Sequence, residues 1–286
     1  MFFLTLFTSC KSVNTTSDLD IELSQNDTSL NFLPEYCTEH IQFLDDGLTY
    51  TKYTNDSFPI TYHVVKVELD KYKIVSKPKI KEVVEGRIVF EGESTLDYSK
   101  RVDAIVAINA TPFELPNDSH VKALFDNTRM ASGLIAENNF VLSTSISKYG
   151  AIVFSKIKGP YIIESQESFV DSKDLSNTTL AVGGFWQILK DSKLYGSFIE
   201  KSDSRTAIGI SNNGKTIYIL VVEGEFGAWS EGLSYKQCAM IFQRLGCKDA
   251  IQLDGGSSST LVINKQNVLG YDATQKNVNN LAIIKK

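Results

Sequence analysis

Histidine, cysteine and arginine are scarce in this chain: three, four and five among 286. His40, His63 and His120 are scattered, and no two stand at a metal-ligating spacing. The cysteines, Cys10, Cys37, Cys238 and Cys247, contain no Cys-x-x-Cys pair. That pattern excludes a zinc knuckle or a disulfide framework as the basis of the fold, and the last three cysteines read as small inert apolar residues. Six prolines and 18 glycines exclude a collagen-like or low-complexity chain. Basic residues are outnumbered, 29 against 34, for a net charge of −5. A broad nucleic-acid footprint is therefore excluded, whereas a local anion site is not.

What remains is ordinary globular composition, 42% hydrophobic and 22% charged, at a length that one large domain accommodates. The start differs from the rest. Met1–Ser9 reads MFFLTLFTS and runs into Cys10. Such a run is too short to span a bilayer, which takes about 20 residues, but it suits the apolar core of an export signal. Thr8, Ser9 and Cys10 resemble the lipobox of bacterial lipoproteins, although no Lys or Arg precedes the run. The expectation is a signal over 1–10 with Cys10 lipidated, export, and a membrane-anchored place in the cell envelope. Residues 11–40 open with a stretch rich in Ser, Thr, Asn and Asp, which buries too little apolar area to offset its ordering entropy. They read as a tether, and 41–286 as the folded domain.

Within the domain, β-branched and alternating segments predict strands at Thr61–Asp70, Lys73–Val75, Arg87–Glu91, Ala104–Asn109, Ala151–Ser155 and Thr216–Val222. Asn213–Gly214 predicts a hairpin joining Thr206–Ile210 to Thr216–Val222. Ser234 and Gln237 have capping-box spacing, Cys238, Ile241, Phe242 and Leu245 share one helical face, and Gly246 terminates it. A second helix is expected over Leu96–Arg101. Strands outnumber helices and do not alternate with them, so the expected class is α+β, with a mixed, mainly antiparallel sheet and a few packed helices.

The chemistry concentrates in a few pieces. The apolar run Ala250–Leu253 ends in Asp254, then Gly255, Gly256, three serines and Thr260. Two glycines let a backbone approach a ligand closely, and such a turn can aim successive N–H groups at an anion. The same pattern also describes a tight turn in which Asp254 caps its neighbours. Arg205 opens an otherwise small and apolar strand, Thr206–Gly209. Its planar fork suits a phosphate or carboxylate; a surface ion pair worth ~0–1 kcal/mol is the plainer alternative. Ala107–Phe113, Ala181–Asp191, Val222–Gly224 and Glu231–Ser234 complete the set, each also readable as a strand end or turn.

In order, these pieces resemble the phosphodiester glycosidase family. Leu245–Val262 matches its LG…LDGGGS signature, Arg205–Gly209 its Arg-led strand, Gly232–Ser234 the start of its helix, and Asn109 and Phe113 its Asn-and-aromatic segment. Departures are Ser257 in place of a third glycine, Ala110, and Gln275–Asn280, where Lys276 stands in for an arginine. The match covers about 100–286.

The resemblance implies hydrolysis of a sugar-1-phosphodiester, or of a cell-envelope glycan so linked, at the C1–O bond. It assigns Arg205 and the loop Gly255, Gly256, Ser257 and Ser258 to the phosphate, with Lys276 beside them. Asp254 and then Glu223 are the carboxylates facing an oxocarbenium-like sugar, and Asn109 a hydrogen-bond partner of substrate. Trp186, Trp229 and His120 lie near these pieces in sequence. No cofactor is expected; a divalent cation on Asp254 and the serines is the lesser alternative. A non-catalytic sugar- or anion-binding surface lipoprotein is the other.

Overall fold

The computed structural model describes residues 28–115, 127–143, 146, 148–196, 198–224 and 230–286. Cys10, His120 and Trp229 lie outside them. Among the described residues, no helix is long and apolar enough to cross a membrane.

An eight-stranded sheet organises the domain. Its order is Thr38–Asp45, Leu48–Asn55, Ile60–Glu68, Thr216–Val222, Arg205–Ser211, Cys247–Gln252, Gln187–Lys190 and Lys193–Leu194. The hairpin predicted at Asn213–Gly214 forms, with Arg205 opposite Val222 and Ile210 opposite Ile217. Alternation in its second strand serves two cores at once. Ile217, Ile219 and Val221 face one side, with Val65, Ile208 and Ile251. Leu220 and Val222 face the other, with Val64, Ala207 and Ala250. A central strand reads as continuously apolar because both its faces are buried.

One face is covered by the helix Tyr235–Arg244, whose capping box is fully formed. Its Ile241 and Phe242 are buried, each stabilising by roughly 1.5–3 kcal/mol. Gly209 makes the docking possible. A Cβ there would meet the Phe242 ring at 2.5 Å and Cys247 Sγ at 2.7 Å. Against the other face pack two five-stranded sheets. The first runs Gln266–Asn267, Leu261–Ile263, Val106–Asn109, Asn280–Lys285, Tyr72–Val75; the second runs Phe140–Ser143, Ile135–Glu137, Thr178–Gly183, Ala151–Ser155, Gly159–Ile163.

Two expectations change. Every described strand pairing is antiparallel, so the sheets are not mixed. With 49% strand and 15% helix, the class is predominantly β rather than a balanced α+β. Short turns join most neighbouring strands, leaving few crossovers for helices to occupy. Residues 31–40, expected as the end of a tether, are also folded. Phe32 and Leu33 are buried against Tyr53, Ile60 and Tyr62, and the first strand begins at Thr38.

Candidate active site

The pieces singled out above meet at one end of the central strands. Tyr62 pairs with Val222 and Arg205 with Val222. The amide of Leu253 donates to Thr206 O (2.8 Å), and that of Gln252 to Trp186 O (3.1 Å). Glu223, Ser204, Arg205, Asp254 and Trp186 therefore emerge side by side from adjacent strand ends.

Arg205 sits on the helix side and is only 7% exposed. Its Nε donates to Leu233 O at 2.9 Å and its Nη2 to Lys201 O at 2.6 Å. The guanidinium carbon lies 4.7 Å from the centre of the Tyr235 ring. Among the described residues no carboxylate pairs with it. Two backbone carbonyls and an aromatic face take the place of the carboxylate that a buried cation usually has. Tyr235 feels Arg205, Asp254 and Tyr149 electrostatically. It continues into an aromatic cluster: Trp186 is 6.1 Å from Tyr235, and Tyr149 is edge-on to both Trp186 and Phe185 at 5.1 Å.

Asp254 is partly buried. Its N–H donates to Ala110 O at 2.9 Å, and its carbonyl accepts from Asn109 Nδ2 at 2.8 Å. Its carboxylate accepts from the Gly255 amide at 3.1 Å and from the Ser258 hydroxyl. Burial outweighs those donors and pushes the carboxyl up to about 7. A carboxyl so placed can exchange a proton near neutral pH.

The loop after it is not an open nest. Gly256 adopts φ +58°, a region glycine favours, and starts a 3₁₀ turn over Gly256–Ser258. The amides of Gly256, Ser258 and Ser259 donate to Ser204 O, Gly255 O and Gly256 O. With Gly255 engaged by Asp254, three of the amides expected for an anion, those of Gly255, Gly256 and Ser258, are held within the protein. The hydroxyl of exposed Ser257 is what the turn presents outward.

Asn109 is fully buried. While its Nδ2 donates to Asp254 O, its Oδ1 accepts from Thr206 Oγ1 (2.8 Å) and the Thr260 amide (3.1 Å). It therefore clamps both ends of the Asp254 loop to the Arg205 strand rather than offering a free group. Lys276 is not brought to Arg205. Its ammonium donates to Asn127 Oδ1 at 2.5 Å, and its carbonyl accepts from Arg129 Nε at 2.8 Å.

Glu223 has no exposed surface. Its Oε1 is 2.7 Å from His63 Nε2, and its Oε2 accepts from the amide of exposed Gly270 at 3.1 Å. The next residue, Tyr271, donates to Ser259 O at 3.4 Å. Glu223 thus reaches the Asp254 loop through the Gly270–Tyr271 turn. The sequence reads His63 as a structural strand residue, and only the register of the sheet brings it to Glu223. Arg129 is buried with its guanidinium carbon 5.3 Å from the Phe113 ring centre. Among the described residues no three His, Cys, Asp or Glu side chains gather as a metal cluster.

The profile of the phosphodiester glycosidase family matches residues 103–285. A hypothetical protein from Synechocystis has a similar fold, with TM-score 0.60 and 15% identity over 87% of this chain and 64% of its own length. The catalytic domain of zebrafish N-acetylglucosamine-1-phosphodiester alpha-N-acetylglucosaminidase, auto-inhibited by its pro-peptide, aligns with TM-score 0.61 and 16% identity over 87% and 84%. An exported protein from Burkholderia pseudomallei follows at TM-score 0.55 and 11% identity over 79% and 74%. No functionally curated protein matches the sequence.

Proposed function

The chain belongs to the phosphodiester glycosidase family, and from that premise we propose that it hydrolyses a sugar-1-phosphodiester at the C1–O bond, freeing the sugar and a phosphomonoester. N-acetylglucosamine, the sugar in the zebrafish enzyme's name, is the first to try. The observation that supports this most is the buried Arg205 guanidinium, which has no carboxylate partner among the described residues and lies at the same strand ends as Asp254.

The leaving phosphate monoester is already anionic and needs little protonation. Arg205 neutralises its oxygens with the N–H groups that its two backbone carbonyls leave free. Asp254 takes a proton from the attacking water as oxygen adds to C1 and the C1–O bond breaks. Glu223, buried where charge is poorly screened, stabilises the positive charge building on the sugar ring.

The test is incubation of the chain with UDP-N-acetylglucosamine and with a synthetic N-acetylglucosamine-1-phosphate methyl diester. Released free sugar is expected, reduced at least ~10²-fold in Asp254→Asn. With Asp254 as base, kcat/KM climbs to a plateau above about pH 7; a profile flat on both sides of that value would remove it from the mechanism. The departures from the family pattern at Ser257 and Gln275–Asn277 favour a second reading, a sugar-phosphate binding module on the same scaffold. It is the one supported by a thermal shift without release.

A further inference from the structure

A line of buried polar side chains runs inward from Glu223. Tyr50 Oη lies 2.8 Å from His63 Nδ1, and His63 Nε2 lies 2.7 Å from Glu223 Oε1. His63 and Glu223 are wholly buried and Tyr50 almost so. The three come from adjacent strands, since Tyr50 pairs with Val65 and His63 with Val221. An apolar core usually has apolar residues at such positions, and a buried polar chain demands full satisfaction.

The donors sort in one consistent way. Burial lowers the affinity of His63 for a second proton, against the pull of Glu223, so its ring is neutral near pH 7. The Tyr50 hydroxyl is pushed up to about 12 by burial and by Glu223, and remains a phenol. Tyr50 then donates to Nδ1, which places the ring proton on Nε2, aimed at Glu223. Gly270 N–H donates to the other carboxylate oxygen. Donors at both oxygens are what a carboxylate accepts.

We infer that His63 is a positioning residue, held in its Nε2–H tautomer by Tyr50, that fixes Glu223 as an oriented carboxylate at the rim of the Asp254 loop. The inference rests on the hydrolase reading for its effect on rate, but not for the tautomer. A group that orients a buried carboxylate acts on the transition state more than on substrate binding.

The experiment has two arms on the full chain. In the first, kcat and KM are measured on N-acetylglucosamine-1-phosphate methyl diester. His63→Met, without the donor, is expected to lower kcat roughly 10- to 100-fold with KM within about two-fold. His63→Gln, whose terminal amide donates near the place of Nε2, is expected to recover most of the rate. A folded His63→Met protein with wild-type kcat overturns the inference, as does a His63→Gln protein equally impaired. Should His63→Met not fold, the second arm decides.

In the second arm, nitrogen NMR follows the imidazole rings, only three of which need assigning. Near pH 7 the His63 ring is expected as the Nε2–H tautomer, with that signal moved by Glu223→Gln. An Nδ1–H tautomer, or an Nε2–H signal indifferent to Glu223→Gln, overturns the inference. If the wild-type chain releases no sugar, the function proposed above fails, and the NMR arm alone settles His63.

Discussion

Two arginines of this domain, Arg101 at the surface and Arg205 in the interior, are treated in opposite ways. Arg101 lies at the end of the short helix Thr95–Arg101 and grips Glu93 with Nε at 2.9 and 3.2 Å and Nη2 at 2.6 Å. Lys79 adds a second cation to the same carboxylate at 3.1 Å. Arg205 is held just as firmly, but by two backbone carbonyls and the Tyr235 ring. The first guanidinium is neutralised inside the molecule, and the second is only oriented. A charge that is oriented and not neutralised is suited to recognition, and one that is both is suited to holding sheets together.

Conservative substitution of each arginine tests that contrast most severely. Arg205→Lys, which keeps the charge and loses the fork, is expected to lower kcat/KM on the methyl diester by ~10²–10³-fold. Arg101→Lys should leave kcat/KM within about three-fold, because it touches no reacting group. Equal losses from the two would erase the distinction.

Removing the carboxylate on the structural side comes next. Glu93→Gln strands two cations in a half-shielded site and is expected to cost about 1–3 kcal/mol in urea unfolding, with activity per folded molecule unchanged. An unaltered unfolding midpoint would mean that the Glu93 pairs contribute nothing measurable.

Anion binding should then show on one side only. N-acetylglucosamine-1-phosphate at about ten times its Kd stabilises a folded protein by ~1.4 kcal/mol. The thermal shift is expected in the wild type and Arg101→Lys, and reduced in Arg205→Lys.

A last effect concerns pH. The Asp254 carboxyl is raised from its ordinary 3.8 to about 7 in the folded chain. Between those values the folded state holds a proton that the unfolded state has released, so this group makes the fold less stable as pH rises. Asp254→Asn should therefore gain in melting temperature relative to wild type between about pH 4 and pH 8. A difference constant with pH would mean that the carboxyl titrates normally.

Local signals carried the elements that are local. The Ser234 capping box, the Asn213–Gly214 hairpin and the strand ending at Asp254 were all legible, since turn chemistry and alternation act over a few residues. The meeting of Arg205 and Asp254 was legible only through several motifs in order. What stayed hidden depends on register between distant strands. Tyr50 and His63 look like ordinary strand residues until the sheet sets them against Glu223. The buried network in which Asn277 and Asn280 share Thr95 is likewise scattered over 185 positions. The Gly255–Ser258 loop misled for the opposite reason. Its composition permits an anion nest, but Asp254, Ser204 and the turn itself engage the amides of Gly255, Gly256 and Ser258.

The clamp that Asn109 places on Asp254 has a bearing on how the protein comes into being. The strand carrying Asn109 is flanked on one side by Leu261–Ile263 and on the other by Asn280–Lys285. A ribosome must therefore deliver the chain as far as that strand before the Asp254 loop acquires its folded shape. Nascent fragments lack it, and pairings between such remote segments are slow to form. Chains clipped before Asn280 should accumulate as strand-exposing species rather than as a smaller version of the same fold.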